Sequence, residues 1–169
     1  MHYLLDSNTF INPKNEYYAF DIAPGFWNQL EGKMIAGQCK LIDAIEEEIT
    51  KGNDDLKDWI KNIEKATPQN FIHKAKEDAK VVEYYRQIAE LVYGNAQFKP
   101  ENKENFLSGA DPWIIAAAKA WGDTVVTFEK MPPSNTMKVK IPDICKRMGV
   151  PYMDLYEMMR KVGMVLRND

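Results

Sequence analysis

The segment YLLDSN, residues 3–8, decides how the fold is interpreted, because three residues suited to a buried strand lead directly into an acid and an amide. Residues that are apolar on both faces are typical of strands in parallel sheets. Asp6 therefore falls at the carboxyl end of the first predicted strand. Ligands of such sheets bind outside the carboxyl ends of the strands, so a carboxylate in this position indicates a functional site.

Helical and strand-like segments alternate along the rest of the chain. β-Branched residues predict a strand over residues 124–127, and a further short strand is predicted around residues 150–153. Apolar spacing and turn residues predict helices over segments 24–29, 40–50, 55–66, 73–93, 111–122, 142–148 and 154–162, and a loop over 95–109. Strands separated by helices imply a parallel sheet with helices on its faces.

The composition limits the class of protein. With 169 residues, 45% hydrophobic and 28% charged, the chain is expected to form a single domain over residues 1–169. We find neither a signal-peptide pattern nor an apolar run long enough to span a bilayer, so we expect a cytoplasmic protein without a membrane partner. The formal net charge of −3 argues against bulk electrostatic binding of nucleic acid but permits a local site. The two cysteines, Cys39 and Cys145, lack the spacing of a disulfide framework or a zinc site.

Four carboxylates from distant segments are predicted to meet at one edge of this sheet. Asp6 and Glu129 follow two strands, Asp111 begins the helix that leads into the second of these strands, and the fourth is one of the glutamates 46–48. Close carboxylates raise each other's pKa, and divalent cations relieve this repulsion. Hard oxygen ligands select Mg²⁺ or Mn²⁺. Individually, each acid also has a structural interpretation, as a turn or helix cap or as solvated surface.

Two neighbouring polar residues fit such a site. In an extended strand, Asn8 lies on the same face as Asp6, so its amide is expected to orient a metal-bound water or a scissile phosphate. Thr127 is expected to donate a hydrogen bond to a metal-ligating carboxylate and so orient it.

Four motifs in order resemble the PIN-domain family of metal-dependent ribonucleases, which includes the VapC toxins. They are YLLDSN, IEEEITKG, ADPWIIAAA and DTVVTFEK, and the tail with KIPDIC and GVPYMDL resembles an uncharacterised bacterial branch of the family. The resemblance implies a three-layer α/β/α fold with a central, mainly parallel sheet of four to five strands. It also implies an Mg²⁺- or Mn²⁺-dependent endoribonuclease, the toxin of a VapBC-like pair, with a small antitoxin partner and a homodimeric state.

Carried onto this sequence, the resemblance assigns the catalytic and metal-binding acids as Asp6, Glu48, Asp111 and Glu129. Glu48 is selected because Ile45 precedes it by three residues and Gly52 follows it by four, and Glu47 is the fallback. The family usually has an Asp where this chain has Glu129. Asp123 is less favoured as the fourth ligand because it precedes its strand.

The mechanism implied is hydrolysis by a metal-activated water, with no nucleophilic side chain. Neither histidine of the chain lies in a motif, which agrees with this interpretation. Lys130 is the preferred RNA-binding residue, with Lys138 and Lys140 as further candidates for flanking phosphates and Phe128 for stacking on bases.

Two other functions remain open from the sequence. The order Asp6-Ser7-Asn8-Thr9 resembles the opening motif of haloacid dehalogenase-like phosphatases, although Asn8 lacks the proton-transfer capacity of the second Asp of that motif. The second alternative is a non-catalytic PIN-like module that binds RNA or a protein. The RNA target and the identity of an antitoxin are not encoded in any motif of the chain.

Overall fold

A five-stranded sheet forms the centre of the computed structural model, which describes residues 1–52, 54–67 and 71–167. All paired strands are parallel, and the order across the sheet is β3-β2-β1-β4-β5. The strands are β1 Tyr3–Leu5, β2 Cys39–Ile42, β3 Ile72–His73, β4 Thr124–Val126 and β5 Tyr152–Met153. The α-helices are α1 Asn8–Asn12, α2 Pro24–Ile35, α3 Asp43–Thr50, α4 Asp55–Ala66, α5 Ala79–Tyr93, α6 Pro100–Ser108, α7 Asp111–Trp121, α8 Ile141–Met148 and α9 Leu155–Val162. A π-helical turn, Pro13–Tyr17, continues α1, and a 3₁₀ turn, Ala75–Glu77, precedes α5.

The central position of β1 explains its apolar sequence. Leu4 pairs with Lys40 of β2 on one side and with Val125 of β4 on the other. Leu4 and Val125 are fully buried, because helices cover both faces of the sheet. The predicted α/β architecture with a parallel sheet of four to five strands is therefore confirmed. Among the described helices, none has the length and apolar character needed to cross a membrane.

The bounds of three predicted helices differ from the structure by several residues. Residues 40–42 belong to β2, and the helix predicted over residues 40–50 begins only at Asp43. The apolar residues of β2 happen to continue the helical spacing of the apolar residues in α3, and no turn separates the two elements. Apolar spacing alone therefore predicts one helix where the structure has a strand followed by a helix. Likewise, residues 72–77 form β3 and a 3₁₀ turn before α5, and helix α2 continues through Gly32 to Ile35.

The segment 95–109, predicted as a loop, contains α6. Pro100 occupies the first turn of this helix, a position where proline is favoured. Phe106 and Leu107 are its buried residues. Tertiary packing of these two side chains therefore stabilises a helix whose polar composition resembles a loop.

Helix α7 places an acid beside the sheet edge. Its alanines, Ala116 to Ala118, are buried, and their small side chains allow α7 to pack closely against both α5 and β4. Gly122 ends the helix with a φ of 72°, a left-handed conformation that favours glycine. The chain then enters β4, so the beginning of α7 lies near the carboxyl edge of the sheet and its last turn lies near the opposite edge.

Candidate active site

Asp6 is held at the carboxyl end of β1 by two hydrogen bonds. Its side chain is only 3% exposed. The Oδ2 atom accepts a hydrogen bond of 2.8 Å from the Thr127 hydroxyl, and Oδ1 accepts one of 2.8 Å from the backbone N–H of Ser7. Thr127 follows β4, so the ends of two adjacent strands fix one carboxylate. The hydrogen bond predicted for Thr127 is present.

The Thr127 hydroxyl is the centre of a small network. Besides donating to Asp6, its oxygen accepts hydrogen bonds from Asn8 Nδ2 at 3.2 Å and from the backbone N–H of Glu129 at 3.1 Å. Asn8 Oδ1 in turn accepts a hydrogen bond of 3.1 Å from the backbone N–H of Phe128. The hydroxyl therefore links β1, α1 and the segment after β4.

The conformation predicted for Asn8 is wrong. Asn8 begins α1 rather than extending β1, so it does not share a strand face with Asp6. Both polar atoms of its amide hydrogen-bond to Thr127 and Phe128, so the amide orients the segment after β4. An orienting role for Asn8 toward a water or a phosphate remains a prediction.

Replacing Thr127 should test the strength of this network. We expect Thr127→Val to lower the free energy of unfolding by about 1–3 kcal/mol, because it leaves buried partners without their hydrogen bond. Thr127→Ser retains the hydroxyl and should stay much closer to the wild type. Urea unfolding at pH 8 measures both variants, and equal stability of the two would contradict the role assigned to the hydroxyl.

Asp111 is a half-buried acid beside Asp6. It is the first residue of α7, where Ala110 occupies the N-cap position, and no backbone N–H of the described residues donates a capping hydrogen bond to its carboxylate. The structural interpretation of Asp111 as a helix cap is therefore wrong. Burial and the charges of Asp6, Glu129 and Glu48 raise the pKa of Asp111 to about 8. Burial is also the main cause that raises the pKa of Asp6 to about 7, with further contributions from Glu129 and Glu48.

The three consecutive glutamates of α3 have different environments. Glu48 is half-buried, and its Oε1 accepts a hydrogen bond of 3.1 Å from the backbone N–H of Ala110, immediately before Asp111. Glu47 is exposed and forms an ion pair of 2.7 Å with Lys76. Glu46 forms an ion pair of 2.9 Å with Lys61. Only Glu48 of the three contributes to the raised pKa values of Asp6 and Asp111, which favours it over Glu47.

Glu129 reaches from the end of β4 to the beginning of α8. Its Oε2 accepts a hydrogen bond of 2.8 Å from the backbone N–H of Ile141, and its Oε1 lies 3.8 Å from Lys140 Nζ. Glu129 adds to the negative potential at both Asp6 and Asp111.

Two other acids, Asp123 and Asp43, have partners outside the group of four acids. Asp123 precedes β4 at the opposite sheet edge, where Lys40 Nζ lies 2.7 Å from its carboxylate. Asp43 follows β2 at the active edge, but its carboxylate accepts hydrogen bonds from three backbone N–H groups, those of Ala44, Ala75 and Lys76. Both carboxylates therefore have structural partners.

The four acids share an electrostatic environment but do not point at one centre. Within the described residues, no group of three or more His, Cys, Asp or Glu side chains is arranged to hold a metal ion. Glu48 and Glu129 instead direct their carboxylates at backbone N–H groups. The donor set nevertheless fits Mg²⁺ or Mn²⁺, because it consists of hard oxygens with uncompensated negative charge. Ligation by all four requires rotation of these two flexible side chains.

A cleft of about 210 Å³ opens over Asp111 and Glu129. Its other lining residues come from α6 and from the segment before α8: Asn102, Asn105, Phe106, Lys138, Val139 and Lys140. Sequence reasoning missed Asn102 and Asn105, although an amide-rich segment directly before Asp111 could have indicated them. Lys130, the preferred RNA-binding residue, lies on the other side of Glu129 in a separate cleft of about 170 Å³.

Comparison with solved structures supports the class of fold. The chain matches the structure described as "Crystal structure of VapBC2 from Rickettsia felis bound to a DNA fragment from their promoter". The TM-score is 0.52 at 15% sequence identity, and the match covers 91% of this chain and 98% of that chain. The fold is thus an α/β fold of the PIN type, as predicted.

Comparison with protein families assigns the sequence to a family. Residues 3–166 match the family described as "Domain of unknown function (DUF4411)". The chain belongs to this family. No curated protein matches the sequence.

Proposed function

We propose that residues 1–169 form one metal-dependent endoribonuclease domain, the toxin of a VapBC-like toxin–antitoxin pair. The observation that carries this proposal is the grouping of buried Asp6 and half-buried Asp111 with Glu48 and Glu129, whose negative charge adds to the burial that raises the pKa of both aspartates. Without a bound cation, the repulsion between these carboxylates would destabilise the folded protein and nothing would offset it. Nucleases are a class of enzyme that uses carboxylate-held Mg²⁺ or Mn²⁺ at such an edge.

The four acids, Asp6, Glu48, Asp111 and Glu129, would hold one or two Mg²⁺ or Mn²⁺ ions. These ions supply Lewis-acid activation of water and neutralise charge on the phosphate and the leaving oxygen. Asp6 is oriented by Thr127 and Ser7, so at least one ligand is already fixed before a cation binds. Asn8 supports this arrangement through Thr127, and the four acids leave no need for a nucleophilic side chain.

The partners belong to the same proposal. An RNA strand is the substrate, and Lys130 is one candidate for binding it. A small antitoxin that covers the acidic edge and a homodimeric toxin are proposed from the likeness to the PIN-domain toxins. The solved neighbour described as VapBC2 is consistent with an antitoxin partner.

A non-catalytic binding module is the second candidate, and one observation favours it. Glu48 and Glu129 hydrogen-bond to backbone N–H groups and do not converge with Asp6. In that case these carboxylates serve to join α3 to α7 and β4 to α8. The phosphatase alternative gains no such support, because the amide of Asn8 is bonded to Thr127 and Phe128.

RNA cleavage distinguishes the nuclease from the binding module. We expect the wild type to cleave single-stranded RNA with Mn²⁺ and to stop when EDTA is added. Asp111→Asn should remain folded and lose about 10²-fold or more of the cleavage rate, because it removes one anionic ligand. The α3 glutamates offer a matched pair: Glu48→Gln should lose activity, whereas Glu47→Gln should retain it.

Two outcomes would contradict the proposal. One is RNA cleavage that persists in EDTA. The other is an active Asp111→Asn variant, which would show that the carboxylate does not take part in the reaction. Circular dichroism of each variant controls for folding.

A further inference from the structure

The cleft wall, defined as α6 together with residues 134–140, is a rigid surface beside the acids. Hydrogen bonds join residues 134–140 to α6 and to the residues that precede it. Met137 O accepts hydrogen bonds from Asn102 Nδ2 at 2.8 Å and from the backbone N–H of Lys99 at 3.1 Å. Gln97 Nε2, just before α6, donates to the carbonyl groups of Ser134 at 2.8 Å and Thr136 at 2.6 Å. The segment 134–140 is therefore held in place by the polypeptide that precedes and forms α6.

Glu129 anchors the other end of the cleft wall. Its hydrogen bond to the backbone N–H of Ile141 fixes the residue that follows the wall. Val139 is buried, while Lys138 and Lys140 on either side of it line the cleft. The burial of Val139 thus sets the position of two lysines over Asp111 and Glu129.

The polar side chains of the cleft wall have few partners within the protein. Among the described residues, Lys138 forms no ion pair, and Lys140 has one long contact of 3.8 Å with Glu129. Asn105 is exposed, and its amide makes no hydrogen bond to a described residue. Exposed lysines of this kind contribute little to stability. Both lysines line the cleft over Asp111 and Glu129, so their ammonium groups are available to a ligand in it.

The charges of the cleft identify the class of that ligand. If the acids hold divalent cations, as proposed above, these cations and the ammonium groups of the cleft wall would repel each other across the cleft. An anion bound between the cations and the ammonium groups would attract both. A polyanionic strand suits an open cleft better than a small anion does, because it can contact both lysines in succession. The amide of Asn105 can add donor and acceptor contacts to a sugar or base edge.

We propose that the cleft wall binds the RNA strand on one side of the scissile phosphate, with Lys138 and Lys140 on successive phosphates and Asn105 on the nucleotide between them. This inference rests on the proposed nuclease function and assigns its substrate to the α6 side of Glu129. It moves the main RNA contact away from Lys130, the residue preferred from the sequence.

Lys140 has a second consequence that distinguishes it from Lys138. Because Lys140 lies beside Glu129, its charge competes with a cation for that carboxylate. Lys140→Ala should therefore weaken RNA binding and tighten Mn²⁺ binding. Lys138→Ala should weaken RNA binding alone.

The test is binding of a short, fluorescent, single-stranded 2′-O-methyl RNA, which retains the phosphates and resists cleavage. Fluorescence anisotropy in Mn²⁺ at about 0.1 M salt compares the wild type with Lys138→Ala, Lys140→Ala and Asn105→Ala. We expect the Kd to rise roughly 3- to 10-fold for each lysine, with the slope of log K against log salt reduced by about 0.7. Lys119→Ala is the matched control, because this exposed lysine lies in the last turn of α7, away from the acids.

The inference is overturned if the lysine variants bind like Lys119→Ala, if only Lys130→Ala weakens binding, or if the wild type does not bind the probe. These failures differ from failure of the nuclease proposal. If the wild type binds through the cleft wall but does not cleave the matching 2′-hydroxyl RNA, the proposed nuclease activity is refuted and the proposed RNA-binding role of the cleft wall stands. A wild type that cleaves RNA while the wall variants bind normally would refute the wall alone.

Discussion

Asp6→Asn is expected to lower the rate of RNA cleavage by about 10²- to 10³-fold while making the metal-free protein more stable at pH 8. The cleavage rate falls because Asp6 is the most firmly held of the four acids, between Thr127 and Ser7. The stability rises because the substitution removes a buried charge whose pKa is raised to about 7. Initial cleavage rates and thermal unfolding in EDTA measure the two effects on one preparation.

Asp123→Asn supplies the matched control for this result. Asp123 is as buried as Asp6 but pairs with Lys40 at the opposite sheet edge. Its removal leaves a largely buried ammonium group without its partner, so we expect a loss of stability of about 2–4 kcal/mol and no loss of cleavage by the folded fraction. Two buried aspartates should thus respond with opposite signs. If Asp6→Asn instead destabilises the protein and Asp123→Asn abolishes cleavage, the acid assignments are wrong.

The metal-free protein should lose stability as the pH rises from about 5 to 8.5. The folded state raises the pKa of Asp6 to about 7 and that of Asp111 to about 8, from a usual value of 3.8. In this pH range the folded protein holds protons that the unfolded chain has released, so a rise in pH favours the unfolded chain until the carboxyls have ionised in the folded state as well. Each kcal/mol of stability lost in this way lowers the Tm by about 2–4 °C for a chain of this size.

Mn²⁺ should reverse this pH dependence. The cation binds the ionised carboxylates, so its stabilising effect should be small at pH 5 and large at pH 8. Thermal unfolding at several pH values, with EDTA or with Mn²⁺, gives both curves. In the double variant Asp6→Asn/Asp111→Asn, both curves should become flatter and coincide. A wild type whose Tm in EDTA rises steadily to pH 8.5 would contradict the raised pKa values.

The sheet edge was largely predictable from local sequence. Apolar runs followed by polar residues locate the ends of β1 and β4, and these ends alone place Asp6, Thr127 and Glu129 near one another. The register of β1 with β4 pairs Leu5 with Val126, the last residue of each strand. Asp111 was found for a related reason, since Pro112 marks the beginning of the helix.

The remaining features depend on contacts between distant segments. The contacts that favour Glu48 over Glu47 involve the backbone N–H of Ala110 and the side chain of Lys76, which are far from α3 in the sequence. The hydrogen bond from Ile141 to Glu129 likewise gives that glutamate a structural partner. Helix α6 is stabilised by two buried residues within a polar segment, so the sequence shows no apolar periodicity that would predict this helix. The presence of Asn102 and Asn105 in the cleft could therefore not be predicted either.

Calorimetric titration of Mn²⁺ into the wild type and Asp6→Asn at pH 8 tests the central claim most directly. The account predicts saturable binding of one or two ions to the wild type and much weaker binding to the folded variant. Binding should also be weaker at pH 6, where Asp6 and Asp111 hold protons. A folded wild type that binds no Mn²⁺ at pH 8, or a variant that binds it equally well, would show that the four acids do not form a metal site.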